Sequence, residues 1–193
     1  MVAASASALD SLPAGTAVVP LAARTDVGPG ISPAQLDGVV DELAAGEIVA
    51  RGARRVLLVP PDHTRPHARA AAITARLSAS LAAAGCTVAV APALGTHAPR
   101  PSRPGELVHR WRDGVVGIGT IGGDEVAAAS GGASRDPVPV EVAGFLLDRW
   151  DLVVSIGQVV PHEVVGMANF TKNLVVGLGG AGTIDATHLL SAR

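Results

Sequence analysis

The sequence predicts an α/β fold, Rossmann-like, with a mainly parallel sheet and helices on both faces. Three observations predict it. First, the apolar runs Arg55–Pro60, Thr87–Ala91 and Leu152–Ile156 lack the in–out alternation of a half-exposed strand, as strands buried on both faces do. Second, helical patterns separate strand-like segments, and that succession is the mark of parallel α/β sheets. Third, each run empties directly into a polar cluster: Asp62 to Arg65, then Thr96-His97, then His162. Parallel sheets bind ligands beyond the carboxyl ends of their strands, so three separate loops are expected to converge on one rim.

The elements are read in order. Residues 1–15 form a loose, Ala- and Ser-rich leader, and residues 16–193 form one α/β domain. Thr16–Leu21 reads as an edge strand, its proline excluding a central place. Ser32, Pro33 and Gln35 make a helix start with a capping box; Leu36, Val39, Val40 and Leu43 recur at helical spacing, and Gly46 is expected to stop the helix. After the first buried strand, Asp62 or Thr64 is expected to cap an Ala-rich helix running through Leu81 to Gly85. Glu106 to Trp111 reads as helical, Val115–Ile118 as a short strand, and residues 119–140 as loop or irregular hairpin. Glu141 to Trp150 reads as a short helix, and the chain closes with a helix carrying Asp185 and His188.

Composition narrows the function. The chain has 193 residues, 48% of them hydrophobic but only 2% aromatic, so the core must be built from Val, Leu, Ile and Ala. A formal net charge of −2 and few aromatics argue against nucleic acid or an anionic membrane as partner. Neither a signal peptide nor a membrane-spanning run is recognisable, and a cytoplasmic protein is expected. Cys86 alone cannot form an internal disulfide and reads as a small core residue.

Lys172 is the one lysine among 15 basic residues. A lysine amine can shed its proton and attack a carbon or sulfur centre, which a guanidinium cannot do; the plain alternative is a surface side chain. Asp62-His63-Thr64-Arg65-Pro66 offers a carboxylate, a hydroxyl and a guanidinium at a helix start, fit to orient an anion or simply to cap the helix. His97 and His162, each beyond a strand, can exchange protons near neutrality, and each singly can also be a loop cap. His188 is a candidate metal ligand or a plain polar residue of the last helix. His109, beside Trp111 and Arg112, reads as a surface residue. The Gly179-Gly180-Ala181-Gly182 run is not a G-x-G-x-x-G fingerprint, although its place before a helix is that of a phosphate turn.

Taken together, Asp62-His63-Thr64-Arg65-Pro66, Gly95-Thr96-His97, Pro161-His162, Lys172 and His188 resemble, in order and separation, the signature of the nickel-dependent lactate racemase family in its amino-terminal catalytic domain. The resemblance spans Val56 to His188. It implies a nickel pincer nucleotide, a pyridinium mononucleotide whose sulfur groups bind nickel. By this resemblance Lys172 holds the cofactor, with Asp62 and Thr64 beside it; His188 completes the nickel coordination; His97 and His162 are the acid–base pair; and Arg65 orients the substrate. It implies a racemase or epimerase of a 2-hydroxy acid, a small-molecule substrate whose α-hydrogen leaves as hydride to the cofactor. The turn before Lys172, Gly166-Met167-Ala168-Asn169-Phe170-Thr171, departs from the Gly-Phe-Ser-Gly-Gly type of the lactate enzymes, so another hydroxy acid or a sugar acid fits as well. Family members also carry a second lobe that closes the cleft. The chain is therefore expected to be a fragment, a truncated gene product or half of a split enzyme, working with a separate carboxyl-terminal lobe or as a homo-oligomer, with little or no activity alone. Two other readings stand beside this one: a zinc hydrolase using His97, His162, His188 and Asp62, and a non-catalytic nucleotide-binding α/β module.

Overall fold

The computed structural model describes residues 31–99, 101, 103–162 and 166–193, with the backbone alone at His67 and His162. The expected leader and the expected strand at Thr16–Leu21 lie outside the described residues. Helix α1 (Pro33–Glu42) begins as anticipated, with the Ser32 hydroxyl accepting from the Gln35 amide and the Gln35 side chain accepting from the Ser32 amide. Gly46 does not stop it. The helix widens into i→i+5 turns over Leu43–Val49, because Ala44 and Ile48, one turn apart, are buried in the core. Their burial outweighs the roughly 1 kcal/mol that a helical glycine costs.

The sheet at the centre has three parallel strands, β1 (Arg55–Val59), β2 (Thr87–Val90) and β5 (Leu152–Ser155), in the order β2-β1-β5. Val56 lies opposite Val88 on one side and Leu152 on the other. The expected double burial holds for β1, whose Val56–Val59 are fully buried; β2 and β5, at the sheet's edges, are only partly covered. One face, Val56 and Leu58, packs on α1 and on α2 (Ala70–Ala83) through Val40, Ile48, Leu77 and Leu81. The other face, Leu57 and Val59, packs on Ala143, Leu178, Phe145 and Leu174. With so few aromatics, both layers are mainly aliphatic, and the second also takes Phe145 and Trp150.

Between β2 and β5 the chain departs from the sequence reading. Residues 106–111 are not a helix: the Leu107 amide donates to the Val90 carbonyl, and Glu106 pairs with Val90 as an isolated bridge at the sheet edge. Strand β3 (Val115–Ile121) pairs antiparallel with β4 (Val138–Ala143), and helix α3 (Gly123–Ala129) joins them. The expected helix at Glu141–Trp150 is thus the end of β4 followed by a short 3₁₀ turn, Gly144–Leu147. A small hairpin, β6 (Pro161–His162) with β7 (Gly166–Met167), then α4 (Lys172–Val175) and α5 (Ala181–Ser191), complete the described chain. Among the described residues no helix is long and apolar enough to cross a membrane.

Candidate active site at the strand ends

Because the three strands run parallel, their carboxyl ends share one rim. The pairing continues past β1 and β2: Ala93 donates to the Pro60 carbonyl, and Pro61 bridges Ala93. The loops bearing Asp62 and His97 are thereby held side by side. Gly95, at φ +55, turns the second loop and donates to the Gly177 carbonyl just beyond α4.

Asp62 is not the helix cap that was expected. Pro66 opens a 3₁₀ turn, Arg69 follows in the left-handed region, and α2 starts at Ala70 with no side-chain cap. The Asp62 carboxylate is engaged instead by its own loop and the next one. It accepts from the Thr64 amide (3.1 Å) and hydroxyl (2.6 Å), and its other oxygen accepts from Nδ1–H of His97. Burial pushes this carboxyl up, but the hydrogen bonds from Thr64 and His97 outweigh it and hold Asp62 below the usual carboxylate range. An ionised Asp62 fixes His97 with its proton on Nδ1, so Nε2 is the nitrogen available for chemistry.

Lys172 is set at the start of α4 by a tightly tied loop. Asn169 and Phe170 both adopt left-handed φ values, 58° and 55°. The buried Asn169 amide donates to the Gln158 carbonyl and packs where any Cβ on Gly157 would stand. The buried Asn173 amide reaches the Val59 carbonyl (3.4 Å), the Ile156 carbonyl (3.3 Å) and the Ser155 hydroxyl (3.1 Å), and Ser155 donates to the Phe170 carbonyl. These two asparagines lock the lysine loop onto the ends of β1 and β5. The sequence reading missed both; the available signal was an Asn-x-x-Lys-Asn arrangement in the stretch that follows β5.

On the far wall, His188 faces in from α5. Its Nδ1–H donates to the Ile184 carbonyl one turn back (2.7 Å), which leaves the Nε2 lone pair for a ligand. Asp62, Arg65, His97, Lys172 and His188 together line one cleft of about 210 Å³. Of the anticipated site residues, then, these five are brought together. Thr64 stands behind Asp62 as its hydrogen-bond donor rather than in the lining. His162 lies on β6 opposite Gly166, and its side chain lies outside what the structure describes.

Two further expectations are corrected. His109 is not on the surface: it is 2% exposed, and its Nε2–H donates to the Gly179 carbonyl at 2.9 Å. The glycine run is not an open phosphate turn. The Glu141 carboxylate occupies it, accepting from the Gly182 amide (2.8 Å), and a Cβ on Gly180 would collide with that carboxylate. An internal anion thus already sits at the start of α5. Among the described residues no three His, Cys, Asp or Glu side chains gather to hold an ion; the His162 side chain, part of the zinc-hydrolase set, lies outside them.

Loops from the ends of parallel strands, closed by a lysine and a helix-borne histidine, define the class: an α/β protein with a strand-end ligand site. Residues 34–193 match the model of the lactate racemase N-terminal domain, and the chain belongs to that family. The fold is similar to that of a protein from Thermotoga maritima known from its crystal structure, at 19% identity and a TM-score of 0.67, over 85% of this chain and 42% of that one. The chain thus spans less than half the length of that structural relative. No curated protein matches the sequence.

Proposed function

We propose that this chain forms the cofactor-binding half of a nickel-pincer-nucleotide-dependent racemase or epimerase of a 2-hydroxy acid. The observation that carries the reading is the gathering of Asp62, Arg65, His97, Lys172 and His188, from separate stretches of chain, around one cleft. The donor set fits the cofactor. A nickel ion held mainly by its own organic ligand needs one protein ligand, and His188 offers a single imidazole with Nε2 unengaged by its backbone bond. Lys172 supplies an amine in the same cleft. When bound, the cofactor supplies reversible acceptance of the substrate's C2 hydrogen as hydride.

The chain's own residues do the rest. Arg65 grips the substrate carboxylate through paired N–H donors. His97, held by Asp62, uses Nε2 to take the hydroxyl proton and to return it, and the Asp62 charge stabilises the imidazolium formed in between. His162 is the partner of His97 in that exchange. The two asparagines keep the lysine loop fixed through the cycle. The open cleft admits water, which weakens every electrostatic contact, so a second lobe or another copy is needed for turnover. The setting that goes with this reading is the cytoplasm, with a small hydroxy acid as substrate.

The test is racemisation in D₂O by the cofactor-loaded chain supplied with a second lobe. Both histidines handle only the hydroxyl proton, so the racemised product is expected to carry no deuterium at C2. Deuterium at C2 would mean proton abstraction from carbon and would contradict the reading.

A further inference from the structure

A larger groove adjoins the cleft, and nothing above uses it. It runs between one face of α2 and the edge strand β2 and encloses about 750 Å³, against about 210 Å³ for the cleft. Small-molecule sites occupy roughly 300–1,000 Å³, so the groove has ligand size and the cleft alone does not. Its α2 wall is a row of alanines, Ala75 and Ala79 among them, exposed where a solvent-facing helix row normally carries charge. Its floor is Val88 and Val90 of β2. The charged groups are Arg65, Arg103, Asp62 and Glu106; Asp62 is engaged by Thr64 and His97 and Glu106 accepts from the Arg103 amide (2.9 Å), whereas Arg65 lines both spaces and has no ion-pair partner among the described residues. An apolar trough with an unmatched guanidinium where it meets a reactive cleft is complementary to one kind of guest, an anion with a bulky apolar tail.

We propose that the groove receives the side chain of the substrate, and that the substrate is an alkyl or arylalkyl 2-hydroxy acid larger than lactate. The tetrahedral C2 then divides its groups among the walls. The carboxylate meets Arg65 at the boundary, the hydroxyl meets His97 in the cleft, and the apolar substituent lies along Ala75 and Ala79. The reaction at C2 rests on the racemase reading; the size and polarity of the substituent rest on the groove.

The experiment titrates the 193-residue chain with lactate and with 3-phenyllactate and follows backbone amide resonances. Both acids are expected to shift Arg65 and Gly95–His97, and only phenyllactate is expected to shift Ala75, Ala79 and Val88. Phenyllactate is expected to bind at least about tenfold tighter. Ala75→Leu, a good helix former that fills the groove, should remove that advantage and leave lactate binding unchanged. Cleft shifts with a silent groove, or equal affinity for the two acids, would overturn the groove assignment and leave the racemase reading standing. Cleft and groove amides silent to both acids would overturn the groove assignment, while the racemase reading is judged by the D₂O experiment above. Groove shifts that follow protein concentration without any acid would make the groove a contact between copies, and would overturn the assignment too.

Discussion

The Asp62 carboxylate and the His97 ring are joined by a hydrogen bond through Nδ1, across a gap of 35 residues in sequence. The two groups differ in setting: the Asp62 side chain is 4% exposed, that of His97 53%. The carboxylate is the fixed member, tied down by Thr64, and the imidazole is the one that reaches solvent or a guest. Asp62→Asn keeps the shape but removes the charge and lets the amide donate to the ring. The expected result is a shift of the His97 proton from Nδ1 to Nε2, read from ring ¹⁵N shifts. In the assembled enzyme a loss of on the order of 10²–10⁴-fold in turnover should follow. An unchanged tautomer would contradict the assignment.

Two glycine substitutions should act in opposite directions. At Gly177 an added Cβ meets the Ala93 Cβ and the Asn173 carbonyl oxygen, each at 2.5 Å, where the β2 loop crosses α4. Gly177→Ala is therefore expected to cost about 1–3 kcal/mol. Gly38 lies exposed within α1, with nothing near a new Cβ. Gly38→Ala should stabilise by about 0.5–1 kcal/mol. Urea unfolding of the two variants measures both.

The buried Asn173 amide is the donor that the Val59 and Ile156 carbonyls share at the sheet rim. Asn173→Ala leaves the Val59 carbonyl its bond from the Ile156 amide (3.0 Å) but takes the side-chain donor from the Ile156 carbonyl, at an expected cost of about 1–3 kcal/mol. Hydrogen exchange should quicken at Lys172–Val176 in the same variant. Unchanged exchange there would mean that the lysine loop is held by other contacts.

His109 gives a pH dependence of known sign. Burial lowers its pKa below the ordinary 6.5, and the bond to the Gly179 carbonyl offsets this only in part. The unfolded chain therefore takes up this proton at higher pH than the folded one. The contribution is complete above about 6.5 and is lost as the pH falls from there through the lowered folded value. His109→Leu removes the effect, together with the unpartnered Nδ1. Relative to the parent, the variant should gain stability between pH 7.5 and pH 5.5, by at most ~1.4 kcal/mol per pH unit. Equal differences at both pH values would contradict this.

What could be read in the sequence was what local patterning determines. The capping box of α1, the apolar run of β1 and the polar clusters after β1 and β2 are set by neighbours in the chain, and each is where it was expected. The errors arose where distant partners decide. Val142, Phe145 and Leu146 have helical spacing, yet Val142 belongs to a strand because β3 lies beside it. His109 has polar neighbours, and only the Gly179 carbonyl, 70 residues away, accounts for its burial. The glycines around Gly180 resembled a phosphate turn because the Glu141 carboxylate that fills it comes from another strand. The two asparagines of the lysine loop take their meaning from the strand ends they bind.

The most direct test of the central claim is intact-mass and metal analysis of the chain co-produced with the enzymes that build the cofactor. The expected result is retained nickel with a sulfur-bearing nucleotide, the added mass mapping to Lys172 or lost when Lys172→Ala is introduced, and the nickel lost in His188→Ala. Protein that carries zinc alone, or cofactor retained equally by the Lys172→Ala and His188→Ala variants, would contradict it.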